Sequence, residues 1–292
     1  MTLVQVINPN TSRAMTDGIA RTAREAAGPG AAILAVTSPM GPASIESHYD
    51  EALAVPGVLA AVRSGELAGA DGHVIACFGD PGLAAAREIA AGPVVGIAEA
   101  AVHLATLLGR TFSVVTTLSR TVGHTRELVR GYGFAAACAG VHACDIPVLD
   151  LDSPAAWTSV GKACTAARDA DGCDVIVLGC AGMTGLTAAL TAELGIPVVD
   201  GVAAGVKLAE SLVALGLRTS KRDEYATPPA KPVLGPLSGL ALRAPDEQAL
   251  PARCAKVTAH AVTRYRRLTR VRCVSSGGQG PGGDRRAASE PR

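Results

Sequence analysis

Two stretches, HVIACFGDPGL at residues 73–83 and DVIVLGCAGMTGL at residues 174–186, share one grammar: an apolar run, a cysteine, a glycine two residues on, then a helix-like segment. Shifting the chain by 103 residues lays Val74-Ile75-Ala76-Cys77-Phe78-Gly79 over Val177-Leu178-Gly179-Cys180-Ala181-Gly182. With one further residue of shift, Pro93-Val94-Val95 falls on Pro197-Val198-Val199, and Ala100, Val102, Leu104 and Ala105 fall on Ala204, Val206, Leu208 and Ala209. Agreement over that span points to internal duplication.

Outward from the first cysteine, LVQVINPN reads as a buried strand, and Asn10 or Thr11 caps a helix running to the Gly28-Pro29-Gly30 break. AAILAVTSP is a second strand, MGPASIESHYDEA a loop, and ALAVPGVLAAVRSGELAG a helix. After TFSVVTTLSRT the pattern resumes with a helix near His124 to Tyr132, a strand near Asp145 to Leu151 and a helix from Trp157 to Ala170. Each half reads βαβαβα. The expectation is an α/β fold of two pseudo-symmetric parallel-sheet, flavodoxin-like lobes with the active site in the cleft between them. Residues 1–109 form the first lobe, completed by a helix at 201–218, and residues 110–200 the second.

The composition suits such a globule: 48% of the 292 residues are hydrophobic and only 3% aromatic. The eight cysteines form no CxxC pair, so a thiol set is expected rather than a zinc site or a disulfide framework. Met-Thr-Leu-Val-Gln lacks a basic leader, and no apolar run reaches the ~20 residues of a membrane span, which points to a cytoplasmic protein with no membrane partner. The charge is uneven, −7 over residues 1–227 and +8 over residues 228–292. That basic, Pro/Gly-rich end reads as disordered, and with one tyrosine as its aromatic complement it offers no stacking platform for nucleic acid.

Asp80 and Pro81 suit the cap and first position of a helix after Cys77, and Thr184 is placed similarly after Cys180. A helix N-terminus favours thiolate over thiol. One thiol on each side of a cleft suits proton removal from one face of a stereocentre and delivery to the other, with no metal or cofactor. Asn8 ends the first strand and Thr116 and Thr117 end its counterpart, where each could bind substrate. Ser44 to His48 lie in a loop that could close over the cleft, with His48 read as a surface group. His73 and His103 read as packed or solvated, and His124 lies near the cleft end. Two lobes round a cleft also describe a binding protein that does no chemistry.

VINPNTS, GPASIESHYDEA, ACFGDPGL, PVVGIAEAA, SVVTTLSRT, VLGCAGM and PVVDGVAAGVKLAESLVALGL resemble the hydantoin racemase branch of the aspartate/glutamate racemase superfamily, over nearly all of residues 1–227. RTVGHTRELVRGYGF and HACDIPVLDL are most similar to allantoin racemases within it. The resemblance implies cofactor-independent two-base racemisation of a small-molecule hydantoin by Cys77 and Cys180, in a homo-oligomer. It also implies that Asn8, Thr116, Thr117 and the backbone around Gly79 and Gly182 hold the ring, while Pro42 and Ile45 wall its substituent. A decarboxylase of the superfamily would be expected to keep one cleft cysteine, whereas an amino-acid racemase would keep two. GPASIE and CFGDPGL favour hydantoins.

Overall fold

The structure, a computed structural model, describes residues 1–242. The chain alternates strand and helix throughout: β1 (Thr2–Asn8), α1 (Arg13–Ala26), β2 (Ala31–Thr37), α2 (His48–Ala68), β3 (Gly72–Ile75), α3 (Leu83–Ile89), β4 (Val94–Gly96) and α4 (Ile97–Leu108) make the first series. The second is β5 (Phe112–Thr116), α5 (Val122–Gly131), β6 (Cys138–Ala143), α6 (Pro154–Asp171), β7 (Val175–Gly179), α7 (Thr187–Leu194), β8 (Val198–Asp200) and α8 (Gly201–Ala214).

Two four-stranded sheets result, ordered β2-β1-β3-β4 and β6-β5-β7-β8, with every pairing parallel. The orders are equivalent, as duplication requires. In each sheet the connection turns outward one way from the first strand and the other way from the third. This makes β1/β3 and β5/β7 the switch points beyond whose carboxyl ends α/β sheets bind ligands. Cys77 follows β3 and Cys180 follows β7.

The last helix of each series packs on the other's sheet: α4 lies against β5, β7 and β8, and α8 against β1, β3 and β4, with α4 and α8 also touching each other. Both helices are Ala- and Val-rich, and Ala98, Ala101, Val102, Ala105, Val202 and Val206 are buried in one core with Val74 and Val177. Each Val or Leu so buried contributes about 1.5–3 kcal/mol. This shared core fixes the two sheets relative to one another, and therefore the two cysteines.

Three local expectations are corrected. Ser12, not Asn10 or Thr11, caps α1, its side chain accepting from the Met15 N–H. The stretch read as a loop becomes helix at His48, because Ser47 and Asp50 form a capping box: the Ser47 hydroxyl accepts from the Asp50 N–H and donates to the Asp50 carboxylate at 2.8 Å. Residues 145–151 are not a strand. Asp145 has φ +54° and a 3₁₀ turn spans Val148–Asp150, so the strand pairing with β5 is β6, further back.

Of the expected tail, residues 243–292 lie outside the described residues. Residues 228–242 are not the structureless segment expected. They carry a 3₁₀ turn over Gly235–Leu240, held to α2 by the Arg63 guanidinium donating to the Gly239 carbonyl at 2.8 Å.

Candidate active site

One cavity of about 200 Å³ is lined from both series, by Cys77 and Gly79 of the β3–α3 loop and by Cys180 after β7. That is small beside the ~300–1,000 Å³ of drug-sized ligand pockets. Of the other residues expected there, Ile45, Thr116 and Thr117 also line it.

Three do not, and hydrogen bonding explains the first two. The Asn8 side chain is buried at 1% exposure, its amide donating to Asn10 Oδ1, the Ser12 carbonyl and Thr16 Oγ1, so it organises the β1–α1 turn. Asn10, two residues on, lines the cavity instead. Pro42 lies outside, its carbonyl accepting from Thr11, which ties down the loop that carries Ile45 inward. Gly182 is absent from the lining and lies against Leu151, its N–H donating to Cys180 Sγ at 3.3 Å.

In the first series the Gly79 amide acts in the same direction, lowering the Cys77 pKa. In each series the N–H two residues beyond the cysteine therefore favours thiolate. The helix N-termini expected to do this stand too far along the chain. α3 begins at Leu83, after a loop in which Asp80 and Gly82 have φ of +47° and +73°, and α7 begins at Thr187 with no side-chain cap. The balance at neither sulfur favours thiolate. Burial pushes Cys180 up to about 11, against the Gly182 amide, and pushes Cys77 up further, with Cys180 and Glu51 adding to the rise.

Asp80 and Thr184 have other work. The Asp80 carboxylate reaches over to accept from the Ala98 and Glu99 N–H groups at 3.1 and 2.9 Å, capping α4, and accepts from the Tyr132 hydroxyl at 2.6 Å. Burial pushes its pKa up to about 6, opposed by those three donors. In the second series the cap of α8 is Asp200 itself, accepting from the Val202 and Ala203 N–H groups, and Thr184 donates to it at 2.5 Å.

The entrance is built by the first turn of α2 and by α5. Glu46 ties this loop to the second series by accepting from the Val148 N–H at 2.9 Å. Behind it, Glu51 and His124 stack over Gly79, where an added Cβ would collide with the Glu51 carboxylate. Glu51 raises the His124 pKa. Reading the sequence as a loop hid Glu51. Its signal was the Ser-x-x-Asp capping box, which places His48 and Glu51 on one helical face. Met15, Phe78, Arg120 and Val148 also line the cavity without having been anticipated. His73 is packed as expected, hydrogen-bonded to Gln5 and Glu66 at 2.7 and 2.8 Å. Among the described residues, no helix is long and apolar enough to cross a membrane.

The family model described as Asp/Glu/Hydantoin racemase matches residues 4–209. The hydantoin racemase of Pseudomonas sp. (strain NS671) is 47% identical over 236 residues, covering 80% of this chain and 95% of that protein. Among solved structures, the allantoin racemase from Klebsiella pneumoniae superposes with a TM-score of 0.81 at 53% identity, over 82% of this chain and 99% of its own. The allantoin racemase from Pseudomonas fluorescens gives 0.77 at 39% identity, over 80% and 100%.

Proposed function

The chain belongs to the Asp/Glu/hydantoin racemase family, an isomerase by that membership, and from this premise we propose that it inverts the ring stereocentre of a 5-substituted hydantoin, allantoin first, with Cys77 and Cys180 as its acid/base pair. The observation that carries the reading is the equivalent placement of two thiols at one cavity, each just after the third strand of its series.

The hydrogen lost sits on the ring carbon between a carbonyl and a ring nitrogen. One cysteine, as thiolate, takes that hydrogen from its face, and the electron pair moves onto the neighbouring carbonyl oxygen as an enolate. The other cysteine, as thiol, returns a proton to the opposite face. The pair ends with its roles exchanged, so the reverse reaction starts from the opposite enantiomer and needs no cofactor. Asn10, Thr116 and Thr117 offer polar groups to the ring edges, and Ile45 and Phe78 supply apolar wall.

Glu46, Ser47 and Arg120 make part of the cavity wall polar, which suits a ureido substituent. A broader hydantoin racemase is the second reading, supported by the name of the Pseudomonas sp. relative. Optical-rotation loss in deuterated water separates them. Rotation loss with deuterium entering the ring carbon, fastest for (R)- and (S)-allantoin, supports the first reading. Faster turnover of benzyl- and isopropyl-hydantoins supports the second, and no exchange on any of them removes both.

The thiol pKa values set a pH dependence. Burial holds both cysteines in the free enzyme protonated at neutral pH, and one must ionise to act. The thiolate fraction falls about tenfold for each pH unit below the pKa, so kcat/KM should climb about tenfold per unit from pH ~7 toward the alkaline limb. A profile flat over that range would mean that the amide donors outweigh burial and that a thiolate is present from the start.

A further inference from the structure

His48, Glu51 and His124 offer a chelating set at the entrance that the two-thiol chemistry does not use. Their donor atoms, one from each residue, all lie within 4.8 Å of one another. His48 and Glu51 stand three residues apart on the first turn of α2, with His48 Nδ1 3.6 Å from Glu51 Oε2. His124 comes from α5, in the other series, with Nε2 3.0 Å from Glu51 Oε1. The two imidazoles meet edge to face, 5.0 Å between centroids and 88° between planes.

Two features set this apart from an ordinary surface ion pair. His124 Nε2 is buried and faces Glu51 Oε1 at 3.0 Å in a contact that falls short of hydrogen-bond geometry, so the pair is held together by charge at a point a cation can share. The second feature is the donor chemistry: two imidazoles and one carboxylate suit zinc-class cations, with donors at ~2.0–2.2 Å and a fourth position left for water. The two separations from Glu51 already fit a shared cation. His48 is exposed, with 77% of its side chain accessible, so it can turn to close the third.

We propose that His48, Glu51 and His124 bind one divalent transition-metal cation of the zinc class, joining α2 to α5 across the mouth of the cavity. Bound there, the cation ties the two series together over Cys77 and Cys180 and obstructs entry, so it acts as an inhibitor of turnover and not as a participant in it. The site is independent of which hydantoin is turned over.

The test titrates the full chain, freed of metal with chelator, with Co²⁺. Visible spectra distinguish nitrogen and oxygen ligation, with weak bands, from sulfur ligation, with an intense near-ultraviolet charge-transfer band. The expected result is one Co²⁺ per chain with weak bands only. Loss of a mere outer-shell partner costs about 10–100-fold in metal affinity, so His48→Ala and His124→Ala should each weaken binding by on the order of 100-fold. His48→Ala removes an exposed side chain, so it serves even where His124→Ala unfolds, which circular dichroism reports. Zn²⁺ should slow the wild-type chain relative to its own chelator-treated rate, and that ratio should approach one in His48→Ala. Absence of binding, binding unchanged in His48→Ala, or a sulfur band that disappears in Cys77→Ser or Cys180→Ser would overturn the proposal.

Discussion

Cys77→Ser and Cys180→Ser should each lower racemisation by on the order of 10³-fold or more, within the ~10²–10⁴ that one positioned acid or base supplies. A serine hydroxyl keeps the shape and the amide donor but ionises far less readily than a thiol. Each substitution exchanges one sulfur for one oxygen without changing the branching of the side chain, so the fold should survive. The informative readout is isotopic. With Cys180 replaced, the Cys77 thiolate still takes the ring hydrogen from its own face and, after exchange with solvent, returns deuterium to that face. One enantiomer therefore gains deuterium with retention, and the Cys180-intact variant does the same for its mirror image. Full rotation loss in either variant, or both variants exchanging the same enantiomer, would sink the opposite-face mechanism.

That prediction rests on residues that were legible in the sequence, and the reason is physical. Duplication is translational along the chain, so an offset of 103 residues exposes both cysteines and both i+2 glycines together. A strand that ends at a switch point delivers its end into the cleft, and Cys77, Thr116 and Cys180 line the cavity. Asn8 also ends its strand, but three donor bonds turn it inward and hand the cavity to Asn10, a choice made by the α1 turn rather than by strand position. The exchange of α4 and α8 between sheets was half legible, with only α8 foreseen. Both helices are Ala- and Val-rich over a wide arc, and such an arc says that a helix is buried without saying which sheet it covers. The missed strand β6 reads Cys-Ala-Gly-Val-His-Ala, poor in β-formers, and forms because β5 has an open edge to pair. The apolar residues Val148 and Leu151, three apart, face the interior from a 3₁₀ turn instead.

The two series solve one capping problem in opposite ways, and exchanging the solutions should show it. Asp80 caps α4 from the Cys77 loop, which is possible because the cap position itself is Gly96, where any Cβ would collide with the Asp80 carboxylate. In the second series the carboxylate is at the cap position, as Asp200, and the loop supplies Thr184 to hydrogen-bond it. Gly96→Asp alone forces a second carboxylate against buried Asp80, and should cost about 3–5 kcal/mol, the scale of an uncompensated buried charge. Asp80→Thr alone removes the α4 cap, worth about 0.5–2 kcal/mol, and orphans the Tyr132 hydroxyl at a further ~1–3 kcal/mol. The double variant rebuilds the Thr-to-Asp arrangement of the second series, so it should be more stable than the sum of the two losses, with a coupling of about 1–3 kcal/mol. Urea denaturation of the four proteins measures that coupling. Additive losses would mean that the Cys77 loop depends on Asp80 for more than the cap, through its +47° backbone or its bond to Tyr132, and that the two series have diverged beyond exchange.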